Sequence, residues 1–265
     1  MSNDYALAYG THASPLDGRC AMEWVSYLAG EAHSDEPTCV SPVLRAMCIA
    51  LNDGLEHGPR QRLRPYLTRT IGTAGDGLDT ERGWMAMDWL TRVYTPAWLH
   101  LGGLHGSGDE LASLAPVANG RSLRRALGVL EDARREARAA RAHAYGVALP
   151  SGWAATVAGR EAAWACAGAA AWAAARLGVG DAAGDRARSA ARATSGDAAA
   201  IAIRHSRDPS CGGARAVARA VLAPTLETLS ESALTLLDRM LPTEMLPTEM
   251  LAVPEPEPAV AWALT

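Results

Sequence analysis

SLRRALGVLEDARREARAARAHAY, residues 122–145, is the stretch that decides the fold. Leu123, Leu127, Leu130, Ala133, Ala137, Ala140 and Ala144 recur every three or four residues, which is the period of one helix face. Arg124, Arg125, Arg134, Arg135, Arg138 and Arg141 fall mostly off that stripe. The spacing predicts one long helix, opened by Ser122 as its cap and closed near Tyr145. Its apolar face narrows from Leu to Ala along the chain, and an Ala face lets a second helix backbone come close.

The same composition continues downstream. An Ala/Trp helix is expected over 155–177, stopped by Gly178, then an Ala/Arg stretch over 181–204 interrupted by Gly184 and Gly196. The loop HSRDPSCGG (205–213) breaks the pattern. A last helix runs from Ala214 to Met240, with a kink expected at Pro224 and a stripe of Leu226, Leu229, Ala233, Leu236, Leu237 and Met240. Trp164 and Trp172, eight residues apart, sit within about 80° of each other on a helix. Each Trp is expected to fill space that many Ala would leave.

Upstream the chain reads as short, punctuated helices. Asp17 is placed to cap a helix over 19–29, with Gly30 as its left-handed stop. Ser41-Pro42 opens a second, which Gly54 ends. Pro65 must divide the segment RQRLRPYLTRT, and GTAGDGLD (72–79) is a loop. ERGWMAMDWLTRVY is apolar almost all round, which predicts burial, and Pro96 marks a break after it. A Gly/His-rich loop (102–108) follows, then a short helix capped by Asp109. Strand signals are nearly absent. The expected fold is all-α: an N-terminal helical unit (1–118, with a polar loop at 30–41) packed against an Ala/Arg-rich helical bundle (121–240). LPTEM twice in tandem, then PEPEP, marks 241–265 as an acidic Pro-rich tail expected to be disordered.

Composition narrows the chemistry. All 25 basic residues are Arg, and the absence of Lys excludes Schiff-base chemistry and a P-loop Lys. The 49% apolar fraction excludes wholesale disorder. Five widely spaced Cys (20, 39, 48, 166, 211) point to reduced thiols, and Met1–Gly18 lacks the features of a signal peptide. Both favour the cytoplasm. The most apolar run, Ala162 to Ala175, is too short to span a bilayer, so no membrane segment is expected. Charge is distributed unevenly: residues 1–120 carry 8 Arg and 14 acids, residues 121–220 carry 16 Arg and 8 acids. Residues 240–265 have four Glu and no Arg. The two halves are therefore complementary.

The loop Gly30-Glu31-Ala32-His33-Ser34-Asp35-Glu36-Pro37-Thr38-Cys39, with Cys20 and Glu23 before it, brings carboxylates, an imidazole and thiols together. Those are the materials of a metal or acid–base site. Yet there is no CxxC, HExxH or second His at ligand spacing, so no metal and no cofactor are expected. Turn-forming Ser34 and Asp35 give a plain structural reading as well. Asp88 and Arg92, one turn apart, form an expected i,i+4 ion pair in an apolar helix. Arg60, Arg62, Arg64 and Arg69 before a Gly-rich loop suggest phosphate, but Asp79 and Glu81 open the next helix and would repel it. His205, Ser206, Ser210 and Cys211 show no spacing that orients a base on a nucleophile.

The run CAMEWVSYLAGEAHSDEPTCVSPVL and the later RQRLRPYLTRTIGT and ERGWMAMDWLTRVYTPAWL resemble a group of bacterial all-helical proteins to which no activity is attached. The resemblance covers roughly residues 18–101. Its pattern G-E-x-x-S-D-x-P-x-C is met by Gly30, Glu31, Ser34, Asp35, Pro37 and Cys39, while His33 stands at an x position commonly held by Trp. It implies a helical fold and no mechanism.

Three functions fit these residues. The first is a cytoplasmic helical interaction or scaffold protein, self-associating or bound to a protein partner through its Ala/Trp/Arg surface. The second is an enzyme or small-molecule binder with a pocket lined by Glu23, Glu31, His33, Asp35, Cys39 and Asp88. Convergence of Glu31, Asp35 and Asp88 on one concave pocket decides it. The third is a sequence-independent nucleic-acid binder using the Arg-rich helices of 121–220, though the sequence offers no stacking platform of aromatics.

Overall fold

A computed structural model describes residues 6–146, 153–176 and 212–242. All regular structure among them is helical: α1 (Ala21–Leu28), α2 (Pro42–Gly54), α3 (His57–Arg60), α4 (Arg64–Leu67), α5 (Asp79–Trp89), α6 (Thr95–Leu101), α7 (His105–Ser113), α8 (Gly120–Gly146), α9 (Trp153–Arg176) and α10 (Gly212–Met240). The chain is all-α, as its periodicity predicts. The expectations for Gly178, for 181–204, for most of the 205–213 loop, for Cys211 and for the tail beyond Pro242 lie outside the described residues.

Local chemistry sets the element boundaries. Glu23, the third residue of α1, reaches back to the Cys20 backbone N–H at 2.7 Å, so Cys20 caps this helix in place of the expected Asp17. Gly30, at φ +70°, ends α1, with the Gly30 N–H bonded to the Tyr27 carbonyl and the Glu31 N–H to that of Ser26. Ser41 Oγ accepts the Val43 and Leu44 N–H groups at the start of α2. Pro65 does divide its segment, which alternates α and 3-10 turns from His57 to Thr70.

Three further boundaries differ from the expectation. Pro96 does not break its helix. Residues Leu90–Tyr94 widen into a π-helical turn, and Thr95 Oγ1 donates to the Leu90 carbonyl at 2.8 Å. The wider turn accommodates a ring that would collide with a carbonyl in a regular α-helix. The loop after α6 is only 102–104, because α7 starts at His105, and Asp109 lies inside α7, 3.1 Å from His100 Nε2. Asn119, not Ser122, opens α8: its Oδ1 accepts the Arg121 and Ser122 N–H groups, while Ser122 Oγ accepts from Asn119.

The helices pack on one another around a single apolar cluster that runs from Leu7 to Leu241. α9 lies against α8, α6 and α10, and α10 continues onto α5 and α2. The crossing of α6 on α9 is close. A Cβ on Gly159 would stand 2.6 Å from the Leu101 carbonyl oxygen, so only glycine fits there. Trp89, Tyr94 and Trp98 form an aromatic ladder with centroids 5.1 and 6.0 Å apart. No helix among the described residues is long and apolar enough to cross a membrane.

Buried polar groups lock the short helices. Arg82 is 1% exposed and binds Asp76 through two nitrogens at 2.8 and 2.6 Å, while its Nε donates to the Met240 carbonyl at the end of α10. Arg60 donates to the Asn52 and Leu55 carbonyls where α2 ends. Arg62 pairs with Glu231, and Arg69 with Asp238 and the Pro242 carbonyl. Arg60, Arg62 and Arg69, before the Gly-rich loop, are thus engaged as struts between elements.

Candidate functional site

In the polar loop, the carboxylate of Glu31 accepts the Thr38 N–H at 2.7 Å, the Thr38 hydroxyl at 3.0 Å and the Cys39 N–H at 3.0 Å. Burial pushes this carboxyl up, and the donors outweigh it, holding it below its ordinary value. Glu31 therefore closes the loop on itself. Ser34 acts likewise, accepting the Glu36 N–H and, through its carbonyl, the Ser26 hydroxyl. Asp35 is half-exposed.

Glu23 is buried beneath this loop. It accepts the backbone N–H of His12 at 2.6 Å and of Cys20 at 2.7 Å, with His12 Nδ1 at 2.8 Å. His33 Nε2 donates to the His12 carbonyl at 3.0 Å and lies 3.9 Å from Glu23. The structure thus brings Glu23 and His33 together, but around the N-terminal segment rather than around a cavity. Burial raises the Glu23 carboxyl, and its donors bring it below the ordinary value. Burial lifts the thiols of Cys20 to about 12 and Cys39 to about 11, so both stay protonated at neutral pH and are poor nucleophiles. Among the described residues no set of three His, Cys, Asp or Glu is arranged to hold a metal ion.

Asp88 is elsewhere, in a cleft of about 690 Å³ between α5, residues 116–118 and α10. None of Glu23, Glu31, His33, Asp35 or Cys39 lines it. The expected pocket around Glu31, Asp35, Cys39 and Asp88 is therefore not assembled, because each loop carboxylate that chelates backbone N–H groups is drawn into the loop. The expected Asp88–Arg92 pair is present, with bonds of 2.7 and 2.9 Å. Asp88 also accepts the Val117 N–H, and Arg92 donates to the Leu114 carbonyl, so the pair clasps the far wall of the cleft. α5 is not buried all round: Trp84, Met85 and Asp88 are half-buried on its cleft face, while Arg82, Ala86 and Met87 are buried on the other.

The second surface lies on α8 and α9. Arg134, Arg135, Arg138 and Arg141 line one depression of about 440 Å³ with Glu131 and Trp164. A neighbouring depression of about 480 Å³ shares Glu131, Arg134 and Trp164 and ends at Trp172. The Arg141 guanidinium sits 4.3 Å above the Trp164 ring and binds the buried Glu161 at 2.5 Å. Arg134 pairs with Glu131 and Arg135 with Asp132. Arg124 and Arg125, expected with this group, are exposed on the first turns of α8 and do not line the groove. Trp172 is 49% exposed and fills no interior space. The sequence signals for this role are the Arg residues off the α8 stripe and the Trp164–Trp172 spacing; that they face each other depends on the helix pairing itself. The chain matches no family model, no curated protein and no solved structure.

Proposed function

We propose that this chain is a cytoplasmic helical interaction protein that docks an acidic protein segment in the α8–α9 groove. The observation carrying this reading is a pair of adjoining depressions that share Glu131, Arg134 and Trp164: four arginines line one, and the half-exposed Trp172 ends the other. Arginine forks bind carboxylates, and exposed indoles take the apolar side chains between them. Charge supports an acidic partner over a basic one: residues 121–220 hold 16 Arg against 8 acids. The chain itself offers a suitable sequence, since 240–265 contains four Glu among apolar residues and no Arg, so self-association belongs to the same reading.

The test is fluorescence anisotropy of a labelled Glu-rich peptide, paired with native mass spectrometry of the protein alone. Saturable binding that weakens several-fold between roughly 50 and 200 mM salt and is lost in Arg134→Glu/Arg138→Glu is expected. Absence of binding, together with a monomer at every concentration, overturns it. Preference for a single-stranded oligonucleotide over the peptide also overturns it, in favour of nucleic acid.

A further inference from the structure

We propose that the Asp88 cleft is a binding site for an uncharged, largely apolar small molecule. The claim is independent of the α8–α9 groove. Its volume, about 690 Å³, lies in the range of ligand pockets. Three features point to an occupant and define its chemistry.

The cleft is built in advance. Trp89 is held in its floor by an Nε1–H bond to Ser232 Oγ at 2.8 Å, which ties α5 to α10. Asp88 and Arg92 hold the opposite wall through Val117 and Leu114. A ligand entering here meets fixed walls and loses little free energy to ordering them.

Part of the inner surface, formed by Trp84, Met85, Val93 and Leu236, is apolar and left partly in water. Trp84 and Met85 are half-buried, and Val93, at 40% exposed, is one of the few large apolar side chains so open to solvent among the described residues. Covering this patch gains the transfer free energy of indole, thioether and branched aliphatic surface at once.

The charges set the ligand's class. Asp88 and Arg92 neutralise each other with two hydrogen bonds and engage backbone groups besides, so an ionic group buried beside them would have to compete for a charge already paired. Glu81 and Arg239 are exposed at the rim, where water screens them. The part of the ligand that enters is therefore uncharged.

A matched pair of dyes tests this on the full chain: N-phenyl-1-naphthylamine, which is neutral, and 8-anilino-1-naphthalenesulfonate, the same skeleton with an anionic group. The neutral dye should bind saturably at one per chain, with blue-shifted emission excited through indole energy transfer. The sulfonate should bind about tenfold more weakly or worse, because its charge must be desolvated beside charges already paired. Val93→Trp, which fills the cleft from its exposed edge, and Met85→Arg should each abolish uptake while keeping the helical circular-dichroism spectrum and a cooperative melt. Equal binding of the two dyes overturns the uncharged class. Neutral-dye uptake that does not saturate, or that persists in a folded Val93→Trp chain, overturns the site.

Discussion

Residues 6–118 and the α8–α9 pair are held together by different chemistry. The front buries Glu23, Asn52, Arg60 and Arg82, each bonded to backbone groups outside its own helix or at a helix end, with Asn52 and Arg82 reaching far along the chain. The α8–α9 pair buries Ala133, Ala137, Ala162, Ala163, Ala167, Ala170 and Ala171, and its one fully buried charge among the described residues is Glu161. Short helices cannot present long apolar stripes, so the front fixes its pieces by directional bonds to loop and helix-end backbone groups. Long helices have stripe enough, and their close approach leaves polar side chains free to face outward. The region that is polar inside is thus the framework, and the region that is apolar inside displays the candidate docking surface.

The hardest way to break that contrast is to remove a buried bond in the front. Arg82→Ala takes a buried guanidinium from the exposed Asp76 and from the Met240 carbonyl and should cost about 2–3 kcal/mol by chemical denaturation. A loss below about 1 kcal/mol would mean that the front is held by its apolar core alone. Next in size is Gly159→Ala. Its methyl would meet the Leu101 carbonyl at 2.6 Å and should cost about 2 kcal/mol by forcing α6 and α9 apart.

Glu23→Gln should cost about 1.5 kcal/mol at neutral pH, because an amide accepts fewer hydrogen bonds and no charge assists them. It should also flatten the acid limb of a stability–pH curve. Glu23, Glu31 and Asp76 are all held below their ordinary values of 4.5, 4.5 and 3.8. For Asp76 burial acts upward, and the bonds from Arg82 and the Leu78 N–H prevail. The unfolded chain then takes up protons first as pH falls. Stability from these groups is complete above the unfolded values and disappears as pH drops through the folded ones. Thermal melts from neutral pH down to about pH 3 would show this. The smallest effect has the opposite sign: Gly128→Ala, on α8 with nothing within 4 Å of the added methyl, should stabilise by about 0.5–1 kcal/mol. Opposite signs for Gly128 and Gly159 would sharpen the distinction between open helix surface and a true crossing.

Helix identity was legible because it rests on local patterns: the 3.6-residue stripe of 122–145, the Ser41-Pro42 start, the Gly30 stop. The Asp88–Arg92 pair was legible for the same reason, as two residues one turn apart. Near misses were also local, such as Asn119 for Ser122, where two neighbouring capping residues compete for the same N–H groups. The Pro96 π-turn was not legible, because whether a proline breaks or widens a helix depends on what packs around it.

The sequence by itself determined that the chain is helical, where most helices begin and end, and which face of α8 carries arginine. Only the tertiary structure decided what those residues do. It drew Glu23 and Glu31 onto backbone N–H groups, turned Arg60, Arg62, Arg69 and Arg82 into struts, and set Asp88 in a cleft that neither Glu31, His33, Asp35 nor Cys39 lines. It also laid the Arg face of α8 beside Trp164 and Trp172 of α9. Periodicity places a side chain on one face of its own helix. What that side chain meets is set by which helices pack together, and the packing depends on contacts among residues far apart in the chain.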